Sequence, residues 1–193
     1  ATRILVQRPI YDELVRRLVK RVNDIVVGDP LAPETDIGPL ISHAQRHKVE
    51  EMVKRAREAG ARVLTGGKRH ALGGTYYEPT VIADVTPEMK CAREETFGPV
   101  APLFRFHTEA EAIALANATE FGLAAYFFSR DVARCFRVGE ALEYGMVGVN
   151  TGIMSNEVAP FGGVKQSGIG REGSKYGIEE YLEIKYLCFG GIA

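Results

Sequence analysis

Gly122-Leu123-Ala124-Ala125-Tyr126-Phe127-Phe128, then a helical stretch near Val132 to Leu142, then Met146-Val147-Gly148-Val149-Asn150, is the passage that decides the architecture. Both outer segments are short and almost continuously apolar, as strands covered on two faces of a parallel sheet are. The segment between them is long enough for the crossover that parallel strands require. The expectation is an α/β domain built on a largely parallel sheet flanked by helices.

The upstream sequence repeats the alternation. Ile4 to Gln7 reads as a strand, and from Tyr11 to Val27 the residues Leu14, Val15, Leu18, Val19, Val22 and Val26 recur at helical spacing opposite Arg16, Arg17, Lys20 and Arg21. Gly28-Asp29-Pro30 should end that helix. After a Pro-rich loop through Pro39-Leu40, Ser42 is placed to cap a helix reaching Ala59, with Gly60 as its stop. Ala61 to Thr65 reads as a strand closed by Gly66-Gly67, and Pro102 to Phe106 as another. Tyr76 to Val85 is extended but holds Pro79, which places part of it at an edge. Thr108 is expected to cap a helix from Glu109 to Thr119. Near the end, Tyr181 to Phe189 alternates like a strand with two unlike faces. Its partner is either an edge in its own domain or the sheet of a neighbouring subunit.

A chain of 193 residues with a net charge of -1 has room for a real core and no electrostatic reason to seek nucleic acid or an acidic membrane. No apolar run approaches the roughly 20 residues that span a bilayer. Cys91, Cys135 and Cys188 are odd in number and widely spaced, which argues against a disulfide framework and for a reducing compartment, the cytoplasm. Each is read as a buried or half-buried structural thiol.

Four features invite a chemical reading. Gly168-Ile169-Gly170-Arg171-Glu172-Gly173 spells a dinucleotide fingerprint but lacks the hydrophobic strand before it and the continuing βαβ unit after it, so it is read as a glycine-rich turn. His43 and His47 share a helix face without a third ligand and are read as a solvated surface; no metal site is expected. Glu95, in Glu95-Thr96-Phe97-Gly98-Pro99, is either an exposed acidic turn residue or a carboxylate placed to accept two hydroxyl donors such as a ribose diol. Under the second reading Phe97 offers a flat face to a ring and Gly98 lets backbone come close. Ser155 lies in the irregular Thr151 to Ala159 loop, just past a strand end, where α/β proteins place ligand contacts.

Glu95 to Pro99, answered by Pro160-Phe161-Gly162-Gly163-Val164-Lys165-Gln166-Ser167-Gly168, resembles the second half of the catalytic domain of NAD(P)-dependent aldehyde dehydrogenases. The likeness runs from Ala1 to Gly191 and includes Val6-Gln7, Gly28-Asp29-Pro30, Gly38-Pro39-Leu40 and Asn150. Within the family, Asn150-Thr151-Gly152, Lys165 to Gly177 and Tyr181 to Tyr186 look most like the succinate-semialdehyde dehydrogenase branch. The resemblance implies that Glu95 binds the nicotinamide-side ribose hydroxyls and that Phe97 packs near the nicotinamide ring of NAD or NADP. It implies further that Ser155 helps hold a substrate carboxylate and that Phe161 lies close to the acyl pocket.

It also implies a thiolate attacking the aldehyde, hydride transfer to NAD(P)+, and hydrolysis of the resulting thioester by a carboxylate-activated water. No catalytic residue is assigned here, because the family's nucleophile and base match positions upstream of Ala1. Residues 1–177 are therefore expected to be a partial catalytic domain without its cofactor-binding domain, and 178–193 an oligomerisation segment serving a homodimer or tetramer. The segment alone is expected to be inactive and not to retain the coenzyme. Two rival readings are a non-catalytic binding or assembly module with the same fold, and a related reductase of acyl phosphates, which fits the residues around Glu95 less well.

Overall fold

In a computed structural model that describes residues 2–191, the elements run β1 (Ile4–Gln7), α1 (Arg8–Asn23), α2 (His43–Glu58), β2 (Arg62–Thr65), β3 (Thr80–Ala83), α3 (Lys90–Arg93) and β4 (Val100–Phe106). They continue through α4 (Glu109–Asn117), β5 (Phe121–Gly122), β6 (Ala124–Phe127), α5 (Val132–Ala141), β7 (Met146–Val149) and β8 (Val164–Lys165), with a 3₁₀ turn over Glu179–Tyr181. The chain divides into two units between Ala112 and Ile113, within α4.

The first unit is a four-stranded sheet in the order β1-β4-β3-β2. The β1/β4 and β4/β3 pairs are parallel and β3/β2 antiparallel, so the sheet is largely parallel, as the sequence pointed to, with one antiparallel edge strand. Every residue of β3 is buried, as an inner strand demands. Side chains alternate between the faces. Ile82 and Phe104 pack with Val49, Met52, Val53 and Ala56 of α2 on one face. Val81 and Leu103 pack with Tyr11, Leu14, Leu18 and Val22 of α1 on the other. The Arg105 guanidinium lies 4.1 Å over the Tyr11 ring.

Both ends of α1 differ from expectation. Pro9 starts the helix early, because its fixed φ and missing N–H suit a first turn. The helix ends at Asn23, since Val26 gives its N–H to the Asp36 carboxylate at 2.9 Å and Val27 bridges Ile37. Those partners satisfy the backbone that one more helical turn would have satisfied. Pro79 marks no edge: it precedes β3, and the ladder begins one residue later with the Thr80 N–H donating to the Pro99 carbonyl.

In the second unit β6 and β7 pair in parallel, Ala124 opposite Met146 through Phe127 opposite Val149, and β5 pairs antiparallel with β8. Asp131 caps α5 by accepting from the Arg134 N–H at 3.1 Å. Among the described residues of this unit only Gly122, Gly148 and Gly163 are buried. The apolar run from Leu123 to Phe128 is thus not covered as expected, with Tyr126 and Phe128 exposed.

The expected strand over Tyr181 to Phe189 is absent. Residues 182–190 hold no regular structure, and Ile184, Tyr186 and Phe189 are exposed. A strand needs a ladder partner for its N–H and C=O groups, and this segment has none among the described residues. Residues 192 and 193 of the anticipated oligomerisation segment lie outside the described residues. Cys91 is buried and its thiol pKa is pushed up by burial; Cys135 is half-buried; Cys188, contrary to expectation, is exposed. Among the described residues no helix is long and apolar enough to cross a membrane, and no cluster of His, Cys, Asp or Glu could hold a metal ion.

Candidate functional site

The turn that carries Glu95 and Phe97 is assembled against the first turns of α2. Ser42 fixes the start of that helix by accepting from the Gln45 N–H at 3.1 Å. From there Gln45, Lys48, Val49 and Met52 follow at i, i+3, i+4 and i+7, which puts them on one face. Val49 and Met52 enter the core. Gln45 and Lys48, nearer the rim, reach the turn instead. Gln45 Nε2 donates to the carbonyls of Thr96 and Phe97, each at 2.8 Å, and Lys48 Nζ donates to the Glu95 carbonyl at 2.8 Å. Three consecutive carbonyls are thereby held by one helix.

The clamp decides what the turn presents. Phe97 has φ +47, a left-handed conformation that costs a non-glycine residue about 1–3 kcal/mol. Its ring is 73% exposed, and Glu95 beside it is exposed too, whereas Thr96 between them is buried. A carboxylate and an aromatic face thus stand in solvent on a fixed backbone.

Gly98 also has a packing role: a Cβ there would lie 2.6 Å from Val49 Cγ2, so the missing side chain makes room for α2. Gly98 and Pro99 also wall a cleft of about 430 Å³ with Gly38, Leu40 and Tyr77. Burial pushes the Tyr77 hydroxyl up to about 12, so it stays a neutral phenol.

Farther along α2, Glu50 accepts from Arg69 Nε at 2.6 Å and lies 3.1 Å from Arg46 Nε. The Arg69 hydrogen bond, with neighbouring cations, holds its carboxyl below the usual range. His47, on the same face as His43, has Nδ1 3.8 Å from Glu50.

Ser155 and Phe161 belong to the second unit. Asn150 ends β7 at φ +57, and its side chain brackets Ser129, accepting from the Ser129 N–H at 2.8 Å and donating to the Ser129 carbonyl at 2.7 Å. The loop that follows is built from local turns, with Asn156 Oδ1 accepting from the Val158 N–H at 3.0 Å and the Ser174 N–H donating to the Glu157 carbonyl at 2.9 Å. Ser155 is exposed in that loop. Phe161 exchanges two backbone hydrogen bonds with Glu172, at 2.9 and 2.7 Å, and remains partly exposed. Glycines allow the close backbone approach beside it: a Cβ on Gly145 would meet the Gly162 carbonyl at 2.0 Å. Lys165 secures the same segment, donating to the carbonyls of Asn117 at 3.0 Å and Thr119 at 3.2 Å, where α4 ends, and pairing with Glu143. Gly168, Gly170 and Gly173 all have positive φ and lead only to the 3₁₀ turn, as a glycine-rich turn should.

The structure therefore joins Glu95 to Phe97 in one turn and sets Ser155 and Phe161 on loops of the other unit. The supporting roles of Gln45, Lys48 and Asn150 were not foreseen. Helical spacing places Gln45 and Lys48 on the inner face, but nothing in it names a turn some 50 residues away.

The chain is similar to succinate-semialdehyde dehydrogenase [NADP(+)] GabD of Escherichia coli (strain K12), at 60% identity over 98% of this chain and 39% of that protein. It is also similar to 3-sulfolactaldehyde dehydrogenase of Pseudomonas putida, at 58% identity over 100% of this chain and 40% of that protein. Among solved structures, succinate-semialdehyde dehydrogenase from Burkholderia pseudomallei superposes with a TM-score of 0.95 at 57% identity, covering 98% of this chain and 39% of its own. The chain spans about two fifths of the length of the curated relatives it matches. Since residues 1–187 match the aldehyde dehydrogenase family profile and the folded chain follows a solved dehydrogenase over nearly all its length, the protein belongs to the aldehyde dehydrogenase family.

Proposed function

We propose that this chain is the C-terminal part of an NAD(P)-dependent aldehyde dehydrogenase acting on succinate semialdehyde or a similar short aldehyde with an anionic far end. In this reading the Glu95 carboxylate accepts hydrogen bonds from the nicotinamide-side ribose hydroxyls, and the Phe97 ring packs against the nicotinamide. Ser155 donates to the anionic end of the substrate, and Phe161 lines its acyl pocket. The coenzyme, when bound, supplies a hydride acceptor. What the chain contributes is orientation: an acceptor and a flat apolar face held at fixed spacing reduce the freedom lost when a diol and a ring dock on them.

The observation that carries the reading is the turn itself, with an exposed carboxylate and an exposed ring on a backbone anchored at three successive carbonyls. That arrangement fits a ribose diol joined to a planar ring. The names of the two relatives support the substrate class, since succinate semialdehyde and 3-sulfolactaldehyde are both short aldehydes with an acidic group at the far end. The nucleophilic cysteine and the general base come from outside these residues, since by the family resemblance none of Cys91 (buried), Cys135 (half-buried) and Cys188 (exposed) matches the nucleophile's position. The segment from residue 178 onward meets a partner subunit, giving a homodimer or tetramer.

The test is a chimaera in which this chain replaces the matching part of the Escherichia coli relative. NADP(+) reduction with succinate semialdehyde by the chimaera, and none by the 193-residue chain alone, is the expected result. A folded, assembled chimaera without turnover would transfer the reading to a binding or assembly module. Sustained NAD(P)H production by the chain alone would overturn its description as a partial enzyme.

A further inference from the structure

We propose that Gln45 is a positioning residue for coenzyme binding, holding the Glu95–Phe97 turn in the one backbone conformation that presents both side chains; this rests on the reading of Glu95 and Phe97 given above. A single amide nitrogen serves two carbonyls, those of Thr96 and Phe97, at 2.8 Å each. An amide has two N–H donors, so one side chain satisfies both acceptors at once. Phe97 sits in left-handed backbone, which a non-glycine residue keeps only when its surroundings over-determine it. Gln45 binds the carbonyls of the two successive peptide links that flank the Phe97 Cα, and therefore fixes the orientation of both. Lys48 fixes the preceding carbonyl, that of Glu95, from the same helix face. Loss of Gln45 frees these peptide links to rotate, and the Phe97 ring and Glu95 carboxylate no longer share one presentation.

The experiment compares Gln45→Ala, Gln45→Glu and Glu95→Gln in the complete enzyme, with ADP as a probe of the adenosine half alone. Gln45→Glu keeps the shape, removes both donors and sets a carboxylate against two carbonyl oxygens. The expected result is a rise of about tenfold in KM for NAD(P)+ in both Gln45 variants, the size of one or two lost hydrogen bonds. Inhibition by ADP should be unchanged. A second signature separates positioning from general damage: in Gln45→Glu the coenzyme KM should recover as pH falls, because the protonated carboxyl regains a donor, whereas Gln45→Ala should show no recovery. Coenzyme KM within twofold of the parent in both Gln45 variants, with Glu95→Gln impaired, would overturn the positioning role and leave the Glu95 reading intact. No effect from Glu95→Gln would remove the foundation and the proposal with it. If Gln45→Glu fails to fold, Gln45→Ala with the ADP comparison decides the matter alone, equal loss for ADP and NAD(P)+ counting against the proposal.

Discussion

At Gly98 a missing side chain permits helix α2 to approach the candidate coenzyme turn. Gly98→Ala should lower stability by roughly 1–3 kcal/mol, the usual range for overpacking a filled site. The added Cβ would fall 2.6 Å from Val49 Cγ2, and Val49 is fully buried and branched, with nowhere to turn. Urea melts of Gly98→Ala, Val49→Ala and the pair test this: the double variant should be more stable than the sum of the singles implies, and strict additivity would refute the contact. The same residue marks a limit of reading a site from sequence. Glu95 and Phe97 could be placed in a turn because Gly98-Pro99 breaks the chain beside them, and both are exposed there, while the ligand roles proposed for them come from the family resemblance. The packing of Gly98 against Val49 was not legible, since a glycine next to candidate ligands gives no sign of which helix needs the space. Gln45 and Lys48 were invisible as supports because their acceptors are backbone carbonyls, which any sequence supplies.

Among the elements, α2 ties fold and site together, and its first turn is the sensitive end. Ser42→Ala removes the acceptor of the Gln45 N–H and should cost about 0.5–2 kcal/mol, with Ser42→Asp restoring most of it. Thermal melts of the three proteins read the loss. Because the capped residue is Gln45 itself, the complete enzyme carrying Ser42→Ala should also bind coenzyme more weakly, while an unchanged melting temperature would show the cap to be idle. Local signals made this element legible: the Ser42 cap and the Gly60 stop, at φ +97, depend on neighbours within four residues. The end of α1 depends on Asp36, ten residues on from Val26, and no helix rule reaches that far. The tail failed for a related reason, because alternation reports a capacity for strand while the ladder must come from elsewhere.

For the molecule as a whole, the two units differ in kind. Among the described residues, every buried large apolar side chain lies between Val6 and Phe104, packed on the two faces of the four-stranded sheet. Beyond Ala112 the described residues bury three glycines, while Phe128, Phe136, Ile184 and Phe189 are exposed. Burial of apolar surface stabilises by about 25 cal/mol per Å², so local stability should follow that division. Amide hydrogen exchange on the 193-residue chain tests it directly. Protection should be greatest in β3, β4 and the middle of α2, where the backbone ladders are covered by core on both sides. Amides of β6 and β7 should exchange much faster despite their regular parallel pairing, because a two-stranded ladder with no buried apolar side chain among the described residues opens at little cost. In a complete enzyme those strands should become protected, since the apolar faces left open here match the kind of surface that larger assemblies cover. Equal and strong protection of both units in the chain alone would mean that residues 113–191 hold a core of their own, against the burial pattern.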